Sequence, residues 1–193
     1  IFVKQKRVEK SGQQVPIDSK IDLKGKTHPW VSRGGIKLEK AILEFNLNCE
    51  SVTALDIGAS TGGFTDVLLA NGADKVYAVD VGYGQLDWKL RQDKRVVVKE
   101  KINARFLTNQ IITEPLDAIV CDASFISLKK VLPSGLKLLK NNGWLAALIK
   151  PQFEVGKGLV GKGGVVRNPE LHKEVKNDIK NWVQTEMKMN LLG

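Results

Sequence analysis

Asp56-Ile57-Gly58-Ala59-Ser60-Thr61-Gly62-Gly63-Phe64-Thr65 is the stretch of sequence that decides the fold. It follows an apolar run at residues 52–55, which predicts a strand, and it precedes residues 66–70, which predict a helix. A strand, a glycine-rich turn and a helix N-terminus together form a cradle for a small ligand. Because glycine has no Cβ, the three glycines allow the backbone to turn sharply and to approach that ligand closely.

A second predicted strand, residues 75–79, ends in Asp80. An acid at that position can hydrogen-bond both hydroxyls of a ribose, so a nucleoside cofactor is the first hypothesis. Nicotinamide dinucleotides are disfavoured, because their fingerprint is G-x-G-x-x-G without a leading acid, whereas this loop is D-x-G-x-x-x-G-G. S-adenosylmethionine has no phosphate and carries two cationic groups, which nearby acids suit better. The alternative is an ordinary glycine turn in an α/β protein.

We therefore predict S-adenosylmethionine as the cofactor. Asn103 is included in its site because the loop after the third predicted strand should meet the adenine. The predicted cofactor-binding residues are Asp56, Gly58, Ala59, Ser60, Thr61, Gly62, Gly63, Phe64, Asp80, Val81 and Asn103.

The charge of the chain is unevenly spread. The 193 residues carry a formal net charge of +9, and residues 1–40 hold ten lysines and arginines against four acids. A basic end beside a cofactor-binding fold suggests a polyanionic substrate, most plausibly nucleic acid, and a merely solvated basic face is the alternative. The candidate RNA-binding residues are Lys4, Lys6, Arg7, Arg33, Lys157 and Lys162.

Composition limits the other classes of protein. No apolar run approaches the roughly 18–20 residues that cross a bilayer. The two cysteines, Cys49 and Cys121, form neither a metal-binding spacing nor a disulfide framework, which fits a reducing cytosol, and we expect a cytoplasmic protein without a metal site.

Three regions are predicted along the chain. Residues 1–25 alternate short apolar and polar stretches and are expected to be the C-terminal remnant of a small RNA-binding module. Residues 26–33 are a predicted linker, and residues 34–193 are the predicted cofactor-binding domain. Because an initiating methionine is usually removed only before small residues, a start at Ile1 leads us to expect a longer protein.

Strands and helices are predicted to alternate in the large region. Ser32 should cap a helix over residues 35–45, and Asn168 should cap a helix that runs to about Met187. This alternation predicts a parallel, doubly wound α/β sheet. The five predicted strands cover residues 52–57, 75–80, 95–98, 117–121 and 144–149.

Two of these strands end in residues that can do chemistry. The fourth ends in Asp122 and the fifth in Lys150, and the carboxyl ends of parallel strands line the ligand crevice. Lys37 enters from the helix that precedes the first strand. A lysine in a dry pocket beside a second cation can accept the proton of a ribose hydroxyl, Asp122 can orient it, and the other lysine can stabilise the developing alkoxide. A surface lysine and a strand-end acid in an unrelated turn are the alternative.

Two other methylation chemistries are disfavoured by the same residues. Methylation of exocyclic base amines typically uses an Asn/Asp-Pro-Pro-aromatic turn after the fourth strand, whereas this turn is Asp122-Ala123-Ser124-Phe125. Methylation of base C5 needs a nucleophilic cysteine that commonly follows proline, whereas Cys121 follows Val120 and Cys49 follows Asn48.

Five motifs, in order, resemble one family. They are His28–Leu38, the Asp56 loop, Asp80–Leu86, Asp122–Ser127 and Lys150–Glu154. The chain is similar over nearly its whole length to the TlyA-type proteins, often labelled hemolysin A, within the FtsJ-like 2′-O-methyltransferases.

The resemblance implies a class I, Rossmann-like fold, ribose 2′-O-methylation of ribosomal RNA, and an upstream RNA-binding module of the ribosomal-protein type. It implies catalytic roles for Lys37, Asp122 and Lys150, the first three members of a Lys-Asp-Lys-Glu tetrad. The family sheet has seven strands and five are predicted here, so we expect the last hairpin, with the fourth tetrad residue, to be missing.

Two other functions stay open. A membrane-lytic protein is suggested only by the hemolysin label of the family. A non-catalytic protein that binds RNA or ribosomes could keep the same fold and would bind RNA with strong salt dependence without turning it over.

Overall fold

The computed structural model describes residues 2–4, 6–8, 12–22 and 28–193. The first 22 residues contribute a small antiparallel sheet in the order β2-β1-β3. Its strands are β1 (Phe2–Val3), β2 (Lys6–Arg7) and β3 (Ile21–Asp22). Its identity as the remnant of an RNA-binding module, and the three predicted region boundaries, stay predictions.

The larger sheet has five parallel strands in the order β6-β5-β4-β7-β8, so the first of them lies between the second and the fourth. The strands are β4 (Thr53–Ile57), β5 (Lys75–Asp80), β6 (Val96–Glu100), β7 (Leu116–Cys121) and β8 (Leu139–Ala147). The helices are α1 (Gly34–Phe45), α2 (Gly63–Ala70), α3 (Trp88–Arg91), α4 (Leu128–Leu136), α5 (Pro151–Glu154) and α6 (Pro169–Thr185). Short 3₁₀ turns cover Ala104–Phe106 and Lys157–Leu159.

Helices pack on both faces of this sheet, which confirms the predicted doubly wound architecture. On one face, apolar residues of α1, α2 and α3, such as Leu38, Leu68 and Leu90, pack against β4 and β5. On the other face, residues of α4 and α6, such as Leu132 and Ile179, pack against β4 and β7. The strands in the middle are buried on both sides, as expected for parallel sheets.

Several predicted boundaries were wrong. The helix after the glycine turn begins at Gly63, three residues before the predicted start. The third strand extends to Glu100. The fifth strand covers Leu139–Ala147, so it begins before the predicted start, ends before residue 149, and leaves Lys150 in the segment after the strand. Its early start reflects the pairing of Leu139 with Leu116 of β7 across an irregularity in register.

The predicted cap of α1 was also wrong. The N-cap is Arg33, whose backbone is already helical, and it makes no side-chain capping hydrogen bond. Ser32 instead directs its hydroxyl towards Gly63 of the neighbouring helix. The predicted cap of α6 is confirmed, since the side chain of Asn168 accepts a 3.0 Å hydrogen bond from the amide of Glu170.

The second half of the predicted linker is part of the folded core. Trp30 is buried, and its indole nitrogen donates to Glu39 of α1. The amide of Val31 donates a 2.8 Å hydrogen bond to the buried carboxylate of Asp66 on α2, which also pairs with Lys89 of α3. One carboxylate therefore fixes the approach to α1 and the position of α3 at the same time.

Backbone contact brings the N-termini of α1 and α2 together. A Cβ on Gly63 would lie 2.3 Å from Ser32 Oγ and 2.9 Å from the amide nitrogen of Gly35. Both distances are far shorter than van der Waals contact, so α2 can approach α1 this closely only with glycine at position 63.

We predict that Gly63→Ala destabilises the fold by about 1–3 kcal/mol, the typical cost of overpacking. Gly156→Ala is the matched control, because a Cβ at Gly156 meets nothing within 4 Å and surface changes usually stay within about 0.5 kcal/mol. Urea unfolding followed by circular dichroism measures both. Equal midpoints for the two variants would contradict the proposed contact.

Candidate active site

A crevice of about 820 Å³ opens at the carboxyl edge of the large sheet. The glycine turn between β4 and α2 lies along one side, and the first turn of α1 lies along another. The residues after β7 and β8 complete it. Its lining residues include Ser32, Arg33, Lys37, Asp56, Gly58, Ser60, Asp122, Ser124 and Lys150.

The glycine turn has the shape that its sequence predicts, and its glycines also allow close packing against other protein segments. Gly58 and Gly62 have positive φ angles of 79° and 93°. A Cβ on Gly62 would lie 2.3 Å from Leu90, and one on Gly58 would lie 2.9 Å from the Cα of Ala123. From the sequence, we expect the glycines to allow close approach of a ligand, and that role stays a prediction. In the structure, contacts with protein atoms require glycine at all three positions, Gly58, Gly62 and Gly63.

Asp56 lies beneath this turn and is almost completely buried. Its Oδ2 accepts hydrogen bonds from the amide and the hydroxyl of Thr65, at 3.0 and 2.7 Å. Its Oδ1 has no hydrogen-bond partner among the described residues. Burial raises the pKa of Asp56 to about 7, and the Thr65 hydrogen bonds only partly oppose this, while Asp122 and Asp80 add to the rise.

Asp80 ends β5 and holds the turns around it. Its Oδ2 accepts a 2.8 Å hydrogen bond from the amide of Ser60, and its Oδ1 accepts a 2.7 Å hydrogen bond from the amide of Gly82. A carboxylate oxygen can accept more than one hydrogen bond, so both oxygens can still bind a ligand hydroxyl. Val81, the next residue, is 69% exposed beside it.

Asn103 has a local structural role. Its side-chain oxygen accepts a 3.1 Å hydrogen bond from the amide of Arg105 and caps the short 3₁₀ turn. Neither Asp80 nor Asn103 lines the crevice described above. Asp80 is connected to the crevice through its hydrogen bond with Ser60, which lines it. Contact of Asn103 with an adenine stays a prediction.

Lys37, Asp122 and Lys150 form one cluster. The Nζ of Lys37 donates to Asp122 Oδ2 at 3.0 Å, and the Nζ of Lys150 lies 2.6 Å from Asp122 Oδ1. The second contact is an ion pair without hydrogen-bond alignment, since the Lys150 ammonium instead donates to the Asp122 carbonyl and to Ser124 Oγ, both at 2.9 Å. The Lys37 side chain is 49% exposed and that of Lys150 only 18%. Lys150 is therefore fixed, whereas Lys37 can turn towards an incoming group.

Two supporting residues escaped sequence reasoning. Ser124 holds Lys150, and only its position two residues after Asp122 could have indicated this. Glu154, in the last motif, accepts a 2.9 Å hydrogen bond from the amide of Leu128 and so ties the segment after β8 to the start of α4. Between them, Phe125 has a positive φ of 64° and its ring lies 5.1 Å from that of Phe153.

The candidate RNA-binding residues lie in three places. Lys4, Lys6 and Arg7 are exposed on the small sheet. Arg33 is exposed at the rim of the crevice, and Lys162 is exposed in the loop before α6. The side chain of Lys157 lies outside the described part of the structure. Contact of these residues with RNA stays a prediction.

Other chemistries find little support in the described residues. Cys121 is buried, and burial raises its pKa to about 12, so its thiol is a poor nucleophile at neutral pH. Residues 2–4, 6–8, 12–22 and 28–193 contain no group of three His, Cys, Asp or Glu side chains arranged to hold a metal ion. No helix in that part of the chain is long and apolar enough to cross a membrane.

The chain is similar to several known proteins. The family model for FtsJ-like methyltransferases matches residues 30–190. The chain is 54% identical over 142 residues to the 16S/23S rRNA (cytidine-2′-O)-methyltransferase TlyA of Mycobacterium tuberculosis, covering 74% of this chain and 53% of that protein. It is 49% identical over 150 residues to Hemolysin A of Brachyspira hyodysenteriae, covering 77% of this chain and 62% of that protein.

A solved structure from Streptococcus thermophilus, named as a hemolysin, superposes with a TM-score of 0.81 at 45% identity and covers 93% of this chain and 65% of that one. The chain thus spans between about half and two thirds of the length of these relatives.

The buried carboxyl of Asp56 should make stability depend on pH. Because its pKa is about 7 in the folded state and about 4 when unfolded, the folded protein holds a proton that the unfolded chain releases between these values. The stabilisation is present below about pH 4 and is lost as the pH rises through 7. Asp56→Asn is neutral throughout and should lack this loss.

We expect the free energy of unfolding of the unaltered chain to fall by about 2–3 kcal/mol, relative to Asp56→Asn, between about pH 5 and pH 8. Urea titrations of both proteins at the two pH values measure the difference. Parallel pH profiles would show that Asp56 is ionised in the folded protein throughout this range.

Proposed function

The chain belongs to the FtsJ-like methyltransferase family, and we propose that it transfers a methyl group from S-adenosylmethionine to a ribose 2′-hydroxyl of ribosomal RNA. The observation that supports this best is the ion cluster of Lys37, Asp122 and Lys150 in the same crevice as the glycine turn. Two lysine nitrogens flank one carboxylate there, so one lysine is placed to accept a proton from a hydroxyl and the other to face the negative charge that develops on its oxygen.

The residues in the crevice and beside it fit S-adenosylmethionine. Asp56 Oδ1 is buried and lacks a hydrogen-bond donor, which an ammonium group could supply, directly or through water. Asp80 stands at the end of β5 with oxygens that can accept ribose hydroxyls. When bound, the cofactor supplies a methyl group on a positively charged sulfur. Val81, whose side chain is exposed beside Asp80, would help to hold the cofactor.

The cluster would act on the ribose hydroxyl in two ways. A lysine in its neutral form can take the proton from the ribose 2′-oxygen. The other lysine, as an ammonium, stabilises negative charge on that oxygen. Each carboxylate oxygen of Asp122 contacts one of the two lysine nitrogens. Ser124 limits the movement of Lys150 through its hydrogen bond. Holding the reactants in line provides much of the remaining acceleration.

An RNA substrate agrees with the charge of the chain. The net charge is +9, and Arg33 and Lys37 stand at the rim of the crevice. The M. tuberculosis relative is named for methylation of 16S and 23S rRNA. This chain spans about half of that protein. We therefore include in the proposal the ribosomal RNA substrate, ribosomal subunits as partners and a cytoplasmic site of action.

Lys150→Ala should reduce methyl transfer to ribosomal RNA by at least about 100-fold, the lower range for loss of a general acid–base or charge-stabilising group. Binding of S-adenosylmethionine should change little, because the proposed cofactor ligands remain. Lys130→Ala is the control, since Lys130 is an exposed lysine on α4 outside the crevice. Tritium transfer from labelled cofactor to ribosomal subunits gives the rate.

Undiminished transfer by Lys150→Ala would refute its catalytic role. Salt-dependent RNA binding by the unaltered chain without any transfer would favour a non-catalytic RNA-binding protein. Lysis of red cells by the pure protein at low concentration would favour a membrane-active one.

Asp80→Ala should weaken cofactor binding by at least about tenfold, because it removes the acceptors of two hydroxyl hydrogen bonds and releases the amides of Ser60 and Gly82. Asp74→Ala removes an exposed acid at the opposite end of β5 and serves as the control. Calorimetric titration with S-adenosylmethionine measures both. Equal affinities would place the cofactor ribose elsewhere.

A further inference from the structure

The loops after β5 and β6, besides the proposed cofactor contacts Val81 and Asn103, carry exposed side chains to which the proposed reaction assigns no role. Hydrogen bonds join the two loops, since the amide of Lys101 donates to the carbonyl of Gly82 and the amide of Ile102 donates to that of Asp80, both at 3.1 Å. Both loops lie at the carboxyl edge of the sheet, where the crevice also opens. They follow strands on the opposite side of β4 from β7, which positions Asp122.

Three aromatic side chains between residues 81 and 106 are exposed, and two of them, Tyr83 and Phe106, have a cation over the ring. Tyr83 is 72% exposed and Phe106 is 64% exposed. Each ring has a cation over it, since the Nζ of Lys101 lies 4.5 Å from the centre of Tyr83 and the guanidinium of Arg105 lies 5.4 Å from that of Phe106. A single exposed ring is common on protein surfaces, but two exposed rings, each with a cation over it, on adjoining loops indicate a binding surface.

The charges here are predominantly positive. Residues 81–106 hold seven lysines and arginines against three acids. All three acids already have partners: Asp87 caps α3, Asp93 pairs with Arg95, and Glu100 pairs with Arg91. Within the described residues, no carboxylate pairs with Lys101 or Arg105. The surface therefore offers its positive charge to a ligand.

We propose that Tyr83, Lys101, Arg105 and Phe106 bind single-stranded RNA that flanks the methylated nucleotide, an inference that rests on the proposed function. Aromatic rings stack on unpaired bases, and neighbouring cations bind the phosphates between them. Duplex RNA hides its base faces, so the rings select single strands. The surface thus extends recognition about 15 Å, three strand spacings, from the reacting group.

The charge pattern favours RNA over a protein partner. Exposed aromatic and arginine residues also occur at protein interfaces, but there the charged residues are depleted at the centre of the contact. Here each of the two rings has a cation beside it, and the three nearby acids are bound to other groups of the protein. This arrangement suits a chain with alternating bases and phosphates.

Fluorescence anisotropy with a labelled RNA of about ten nucleotides tests the proposal, in the single-stranded form and as a duplex. The double variant Tyr83→Leu/Phe106→Leu keeps apolar bulk and all charges but removes both rings. It should bind the single strand at least about tenfold more weakly, with little change for the duplex. Phe45→Leu removes an exposed ring on α1, remote from these loops in the sheet order, and should bind as the unaltered chain does.

A second variant separates charge from stacking. Lys101→Gln/Arg105→Gln should reduce the slope of log affinity against log salt concentration by about 0.7 for each cation, whereas the ring variant should leave that slope unchanged. Calorimetry with S-adenosylmethionine should give the same affinity for all of these proteins, because none of the substituted side chains is a proposed cofactor ligand.

Unchanged single-strand affinity in the ring variant overturns the proposal and leaves a protein partner as the alternative. Equal loss for duplex and single strand overturns it as well, and so does a parallel loss of cofactor binding, which would assign the rings to the cofactor pocket. Binding is measured without methyl transfer. A chain that binds RNA through these rings yet transfers no methyl group would therefore contradict the proposed activity alone.

Discussion

The close approach of α1 to α2 is the constraint on which the active site depends. No side chain separates Gly63 from the backbone at Gly35, and the hydroxyl of Ser32 fills the remaining space. This approach sets the first turn of α1 over the carboxyl edge of the sheet, so that Lys37 reaches Asp122 with a normal 3.0 Å hydrogen bond. A larger residue at the contact would move Lys37 and the glycine turn together.

Four aspartates then connect the segments around this contact. Asp66 joins the approach to α1, α2 and α3, while Asp80 joins the glycine turn to the loop after β5. Asp122 joins α1 to the segment after β8, and Asp56 fixes the start of α2 through Thr65. Charge-assisted hydrogen bonds to backbone amides and ammonium groups are stronger than neutral ones, so each carboxylate holds loops that have little apolar surface of their own.

This use of acids also shapes the outer charge of the protein. Acids that accept hydrogen bonds inside the protein contribute less negative charge to its surface, whereas many of the lysines and arginines are exposed to solvent. The positive charge at the crevice rim and along the β5 and β6 loops is the result. A polyanionic substrate would then be attracted to the edge of the sheet that carries the cluster and the cofactor turn.

The sequence alone determined the parallel sheet, the position of the glycine turn and the acids Asp80 and Asp122 at the strand ends. It also indicated that Lys37 and Lys150 lie near Asp122. These features follow from hydrophobic period, turn chemistry and strand order, which are local or topological properties. Only the tertiary structure decided that Gly62 and Gly63 serve packing, that Ser32 caps no helix, that Asp66 joins three segments and that Ser124 holds Lys150. These roles depend on which atoms of distant segments meet, and no spacing within one segment encodes such a contact.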